Sequence, residues 1–190
     1  TARQALQRLV SRGLLTRRLG VGTIVSPRHV HRPMELTSLM RDLVNAGHKV
    51  HTTIQHYEAR PATAQEADTL KITEGTLVVH IERTRFADNE PIAVLTNLIP
   101  ADIAPTMQEL ESASLYDLMR ERGVTLASAR QIIGARSATT KEAKLLSEHR
   151  GAALLTSQRT TYDPSGRIVE CGNHIYRASR YSFEASLFAQ

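Results

Sequence analysis

Arg83 and Arg85, one residue apart, fall on the same face of a run that alternates as a strand does. Guanidiniums held side by side repel each other, and facing a buried cleft they call for an anion. Their forked donors fit a phosphate or a carboxylate two bonds at a time. Ser38 and Ser114 each open a helical pattern, where unbonded backbone N–H groups also favour negative charge. Glu170 and Tyr176 lie six apart on a later strand, an even spacing that puts both on one face. The chemistry that suits this set is capture of a small anion by Arg83, Arg85, Ser38 and Ser114. The same residues also have simpler uses. Arg-x-Arg suits a surface ladder of ion pairs, helix-initial serines serve as N-caps, Glu170 suits an exposed strand, and Tyr176 suits the edge of a core.

A second group of basic residues sits at the start. The first 33 residues carry seven arginines (Arg3, Arg8, Arg12, Arg17, Arg18, Arg28 and Arg32) and no acidic residue, whereas the remainder sums to −2 within a net charge of +5. An imbalance this local points to a polyanionic partner for the N-terminal segment alone.

Composition narrows the classes. With 190 residues, 41% hydrophobic and 23% charged, the chain fits one large or two small globular domains. No apolar run approaches the roughly 20 residues that cross a bilayer, and no signal peptide is legible, so no membrane partner and a cytoplasmic location are expected. The single cysteine, Cys171, excludes an internal disulfide framework and a cysteine-based zinc cluster. The eight histidines lack metal-binding spacing, so neither a metal nor a cofactor is expected.

The elements that must position these groups come in duplicate. Ser38-Leu39 recurs as Ser114-Leu115, Gly47 as Gly123, Glu66-Ala67 as Glu142-Ala143, Gly75 as Gly151, Arg83-Thr84 as Arg159-Thr160 and Ile92 as Ile168, all at a spacing of 76. Each unit predicts a helix from the serine to the glycine, then a strand (49–60; 125–137), a short helix (63–71; 139–148) and a strand pair (76–87 with 90–98; 152–163 with 167–177). Asp88-Asn89-Glu90-Pro91 and Asp163-Pro164-Ser165-Gly166 supply the turns. The fold class is therefore α+β, with a mostly antiparallel sheet and a pseudo-twofold repeat around a central cleft. Ser38 and Ser114 become symmetry mates flanking that cleft. Arg159, the mate of Arg83, is a weaker anion ligand because its neighbour in the pair is Thr161.

Ahead of the repeat, Ala2, Ala5, Leu6, Leu9 and Val10 form one helical stripe, leaving Arg3, Gln4, Gln7 and Arg8 on other faces. Gly13 ends that helix, and residues 14–18 and 22–25 read as a hairpin around Leu19-Gly20-Val21, whose tip suits close approach to phosphate. Residues 27–33 read as a linker bracketed by prolines.

The N-terminal pattern resembles the recognition helix and wing of the GntR family of bacterial repressors, through Thr1, Arg3, Gln4, Ala5, Leu6, Leu9, Gly13, Leu14, Leu15, Arg17, Arg18, Gly20, Gly22, Thr23 and Val25. The resemblance implies that Thr1, Arg3 and Gln4 face bases and phosphates, and that Arg17, Arg18, Gly20, Gly22 and Thr23 belong to the wing. It also implies two preceding helices, so residues 1–26 are expected to be the C-terminal part of a winged helix-turn-helix in a truncated chain. Residues 34–190 resemble the UTRA ligand-sensing domain of the HutC subfamily, which shares its fold with chorismate lyase. The matching text is Leu36-Thr37-Ser38, Arg83-x-Arg85-x-Ala87-Asp88, Glu90-Pro91-Ile92-Ala93, Ser114-Leu115-Tyr116, Val169-Glu170, Tyr176-Arg177 and Arg180-Tyr181-x-Phe183. In members answering to amino-sugar phosphates, positions matching Glu170 and Tyr176 contact the ligand. The sequence departs from that pattern at Leu95, Cys171 and Gly172.

The expected function is a ligand-responsive transcriptional regulator, a repressor that binds double-stranded operator DNA as a homodimer. A small phosphorylated or carboxylated effector would occupy the C-terminal cleft, and residues 181–188 would offer an edge for the second copy. The alternatives are an enzyme of the chorismate-lyase fold and a stand-alone metabolite-binding module. No acid/base pair with a supporting third group can be assembled for an enzyme.

Overall fold

The computed structural model of the chain describes residues 2, 4–6, 15–18, 22–25, 30–33 and 36–184, with side chains at 2, 4–6 and 36–184. Residues 2 and 4–6 are helical. Strands β1 (Leu15–Arg18) and β2 (Gly22–Val25) pair antiparallel, as the hairpin pattern requires. Part of the expected linker is a strand, β3 (Val30–Pro33), parallel to β10 (Tyr181–Glu184).

The duplicated region gives two copies of one unit. The first contains α1 (Leu39–Asn45), β4 (Val50–Pro61), α2 (Ala64–Leu70), β5 (Leu77–Ala87) and β6 (Glu90–Pro100). The second contains α4 (Leu115–Glu121), β7 (Ser128–Ser137), α5 (Thr140–Leu145), β8 (Ala153–Tyr162) and β9 (Ile168–Arg177). A six-residue helix outside the repeat, α3 (Met107–Ser112), joins them. The main sheet runs β4-β5-β6-β9-β8-β7 and is antiparallel throughout.

Register locates the pseudo-twofold and corrects the spacing. Arg85 opposes Ala93 in the first unit and Thr161 opposes Glu170 in the second, so β9 is offset from β6 by 77 rather than 76. The β8–β9 turn holds one extra residue. Ile168 is therefore not the mate of Ile92. Ile92 and Val169 are instead the unpaired residues of equivalent bulges. With this offset Thr96 and Asn173 are mates and face each other across β6–β9, which puts the axis through that pair.

Both faces of the sheet are covered. Leu39 and Leu43 of α1 pack with Ala93, Leu95 and Tyr176, while Leu110 of α3 and Leu115, Leu118 and Met119 of α4 pack with Val79, Ile81 and Ile99. On the opposite parity, Ala67 and Leu70 of α2 meet Val78, Leu98 and Ile168, and Ala143 of α5 meets Val94, Leu154 and Ile175. The turns after α1 and α4 use Gly47 and Gly123 at φ of +82° and +81°, backbone that a side chain would strain. No helix among the described residues is long and apolar enough to cross a membrane.

The repeat extends to polar detail. Thr63 and Glu66 form a capping box at α2, and Arg60 clamps Glu66 with two bonds of 2.7 Å. Thr139, Glu142 and Arg136 do the same at α5. Hydrogen bonding from the arginine holds each glutamate down to about 2. A depressed carboxylate pKa contributes stability that is present above the ordinary glutamate range and lost as pH falls toward the folded value. The expected result in acid denaturation is a stability loss between about pH 4.5 and about pH 2. Glu66→Gln and Glu142→Gln should each remove on the order of 1 kcal/mol of it, read as a flatter melting-temperature profile.

Candidate functional site

Duplication brings mates together at the axis. The first turns of α1 and α4 face the strand residues of the central sheet across a cleft of about 40 Å³, room for about three waters or one tetrahedral anion. Ser38 and Ser114 form one rim, and Arg83, Arg85 and Arg159 approach from the sheet. Leu95, Tyr176 and Tyr116 supply the apolar walls. Arg41 of α1 and Asp117 of α4, mates under the repeat, make an ion pair of 2.8 Å that joins the two helices.

Burial defines the electrostatics. Arg83 and Arg85 are each 2% exposed and make no ion pair among the described residues. Arg83 donates to Asn97 Oδ1 at 2.7 Å, and Arg85 donates to Thr52 Oγ1 at 2.5 Å. Nε and Nη1 of Arg83 and Nε of Arg85 have no hydrogen-bond partner among the described residues. Desolvation pushes the Arg83 guanidinium down to about 10, opposed by the charge of Glu170. Desolvation, then repulsion from Arg83, pushes Arg85 down to about 9. Buried charge in this state is costly until an anion completes it.

Beneath the arginines lies a hydrogen-bonded floor. Glu170 is fully buried and accepts from Asn97 Nδ2 at 2.6 Å, Thr161 Oγ1 at 2.8 Å and the Tyr116 hydroxyl at 3.2 Å. Burial raises its carboxyl above the usual range, while bonds from Thr161 and Asn97 pull the other way. Arg159 Nη1 donates to the Tyr116 hydroxyl at 3.3 Å, and its Nε to Gln131 at 2.7 Å. His174, the structural mate of Asn97, lies between Asn97 Nδ2 and the Tyr176 hydroxyl, 3.3 Å from each. Gly172 makes this floor possible. A Cβ there would stand 2.5 Å from both Glu170 Oε1 and His174 Nε2. Gly172→Ala should therefore cost about 1–3 kcal/mol in unfolding free energy and displace both side chains from the cleft. Unchanged melting and unchanged His174 ring resonances would contradict that role.

The structure gathers Ser38, Arg83, Arg85, Ser114 and Tyr176 at one cleft. It revises Glu170, whose face was read correctly, but whose oxygens are held by protein donors behind the wall instead of lining it. It also restores Arg159, whose repeat relation to Arg83 was the available signal. Asn97 and His174 had no such signal, because their roles depend on the corrected offset. The serines are N-caps as well, accepting from Arg41 N at 3.1 Å and Asp117 N at 3.4 Å.

At the basic end, Gln4 is helical and exposed. Arg17 opposes Thr23 and Arg18 opposes Gly22 at the turn end of the hairpin. Thr1, Arg3 and Gly20 lie outside the described residues. The expected edge at 181–188 is occupied over Tyr181–Glu184 by β3 of the same chain, and 185–188 lie outside the described residues. Among the described residues no cluster of three or more His, Cys, Asp or Glu is placed to hold a metal ion. A larger open cavity of about 490 Å³ lies on the opposite sheet face, but its charges pair as Lys141–Glu82 and Arg136–Glu142.

A duplicated α+β domain with a polar cleft on its axis, preceded by an antiparallel strand pair, has the form of a ligand sensor. Comparison with known proteins agrees. The UTRA domain model matches residues 45–182. The HTH-type transcriptional repressor NagR of Bacillus subtilis is 33% identical over 96% of this chain and 76% of its own length. The crystal structure of PhnF from Mycobacterium smegmatis superposes with a TM-score of 0.89 at 26% identity, covering 99% of this chain and 84% of that one. A Streptomyces coelicolor structure described as a transcriptional regulator is 48% identical, with a TM-score of 0.67, over 75% of this chain and 96% of that one. The chain belongs to the UTRA-domain transcriptional regulators of the GntR family, HutC subfamily. This family of regulators, and not an enzyme of the chorismate-lyase fold, is where the comparisons place it.

Proposed function

We propose that this chain is the sensing part of a cytoplasmic, homodimeric repressor whose effector is a small anion bound by Arg83, Arg85 and Arg159 beneath Ser38 and Ser114. The observation that carries this reading is the pair of buried guanidiniums, which among the described residues have three nitrogens without a hydrogen-bond partner and no carboxylate in ion-pair contact. A phosphate or carboxylate supplies what those donors lack. Residues 1–26 act as the DNA-contacting segment, 27–33 as the connection and 34–190 as the sensor.

The cleft of about 40 Å³ fits an anionic head, and a larger effector would enlarge it by parting α1 from α4 and breaking Arg41–Asp117. Such a movement has a route to the N-terminal segment. Ser38 lies five residues beyond β3, and β3 pairs with β10, whose Tyr181 stacks on Tyr176 at 4.2 Å between ring centres. An effector that binds the parted arrangement better shifts the protein toward it and repositions the DNA-binding segment.

A thermal-shift series with hexosamine phosphates, alkylphosphonates, small dicarboxylates and neutral sugars tests the reading. At about 100 times the dissociation constant, a matching anion stabilises by about 2.7 kcal/mol, a rise of about 5–10 °C for a chain of this size. Stabilisation by neutral sugars alone would overturn it.

A further inference from the structure

The sheet face turned away from the anion cleft carries a cavity of about 490 Å³, walled on one side by α5. Small-molecule sites span about 300–1,000 Å³. Two rows of side chains, aligned by register across the strands, make its floor. Glu82, Thr96, Asn173 and Gln158 form the first row, over β5, β6, β9 and β8. Each directly precedes a residue of the cleft (Arg83, Asn97, His174 and Arg159), so strand alternation turns the row away from it. Val94, Ile175, Thr156 and Gly134 form the second row, over β6, β9, β8 and β7. From β5 to β7 the floor crosses four strand spacings, roughly 19 Å.

The repeat shows how the space was made. Under the pseudo-twofold, Thr156 has His80 for its mate and Gly134 has Glu58, and each pair is opposed in register. The first unit thus sets an imidazole and a carboxylate where the second sets a small hydroxyl and no side chain. A glycine inside a strand often marks a place that a ligand approaches closely. A Cβ at Gly134 would stand 3.0 Å from Thr156 Oγ1.

The charges around this space are already matched, Lys141 to Glu82 at 3.2 Å and Arg136 to Glu142. What stays open is neutral. The side chains of Thr96, Thr156, Gln158 and Asn173 make no hydrogen bond among the described residues. These two hydroxyls and two amides each offer both a donor and an acceptor, the same double capacity that a ligand hydroxyl has. Val94, Ile175 and Leu145 add apolar surface for C–H groups. We propose that this cavity binds an uncharged polyhydroxylated molecule of one or two sugar rings, at a site separate from the anion cleft.

The test titrates the isotope-labelled full chain with glucose, galactose, maltose and sucrose at millimolar concentrations, reading the side-chain amide resonances of Asn173 and Gln158. At least one sugar should shift both resonances saturably, and saturating sulfate should not displace it. Thr156→His installs the residue of its mate, which the matching strand of the first unit accommodates. It should weaken sugar binding by about 10-fold or more while the anion-induced thermal shift is retained. Asn173→Ala, at an exposed position, should weaken it without filling space, read at Gln158. The absence of a saturable shift with all four sugars would overturn the site. Binding that both substitutions leave intact, or that sulfate displaces, would overturn it as well.

Discussion

Arg85→Met should make the ligand-free protein more stable and blind to its effector at once. Arg85 is buried, repelled by Arg83 and, among the described residues, held by one side-chain hydrogen bond to Thr52 and paired with no carboxylate. Methionine fills most of the same space without charge. Replacing a poorly compensated buried charge by an apolar isostere stabilises by about 1–3 kcal/mol. The same change removes charge-assisted bonds worth roughly 1.5–3 kcal/mol each, so anion affinity should fall by about 100-fold or more. Chemical denaturation without ligand reads the first effect, and titration calorimetry reads the second. A destabilised Arg85→Met that still binds the anion would mean that Arg85 is a structural residue. Arg83→Met should lose affinity similarly but gain less stability, because Arg83 also bonds Asn97 and balances Glu170.

Glu170→Ala should be the most destabilising single change in the cleft. It leaves the donors of Asn97, Thr161 and Tyr116 without their shared acceptor and removes the counter-charge beneath Arg83. Breaking a buried network of this kind costs about 3–5 kcal/mol. Glu170→Gln separates charge from shape. Because burial raises the Glu170 pKa, the folded protein holds this proton longer than the unfolded chain does. Wild-type stability should therefore fall as pH rises from the ordinary glutamate range through the raised value, and Glu170→Gln should lack that slope. Affinity for sulfate, whose charge stays constant above the acid range, should rise for the wild type as pH falls through the raised value and the neighbouring carboxylate takes up its proton. It should stay flat for Glu170→Gln. Parallel pH profiles for the two proteins would remove Glu170 from the electrostatics of the site.

The legible parts of this molecule were those written twice. Serine N-caps, helix-ending glycines and the capping glutamates at 66 and 142 recur at fixed spacing, so one unit confirmed the other. The hairpin at 15–25 was legible because its signal is local. Features with a single copy or a remote partner were not. α3 has no repeat mate and only Leu110 as a fully buried anchor. β3 pairs with a strand about 150 residues away, so residues 30–33 carried no local sign of becoming more than a linker. The extra residue in the β8–β9 turn broke the spacing where Asn97, His174 and Glu170 meet, which hid their shared role. Side-chain parity put Glu170 on the correct face, but parity cannot distinguish a carboxylate that meets a ligand from one that holds up the residues that do.

The central claim is that an anion sits between Arg83 and Arg85 beneath the two serines. Anomalous scattering from a crystal of the protein equilibrated with selenate tests it directly. The expected result is a selenium peak in the cleft, with oxygens about 3 Å from both guanidiniums and from the Ser38 or Ser114 hydroxyl. A cleft without a peak at saturating selenate, while other surface sites fill, would contradict it.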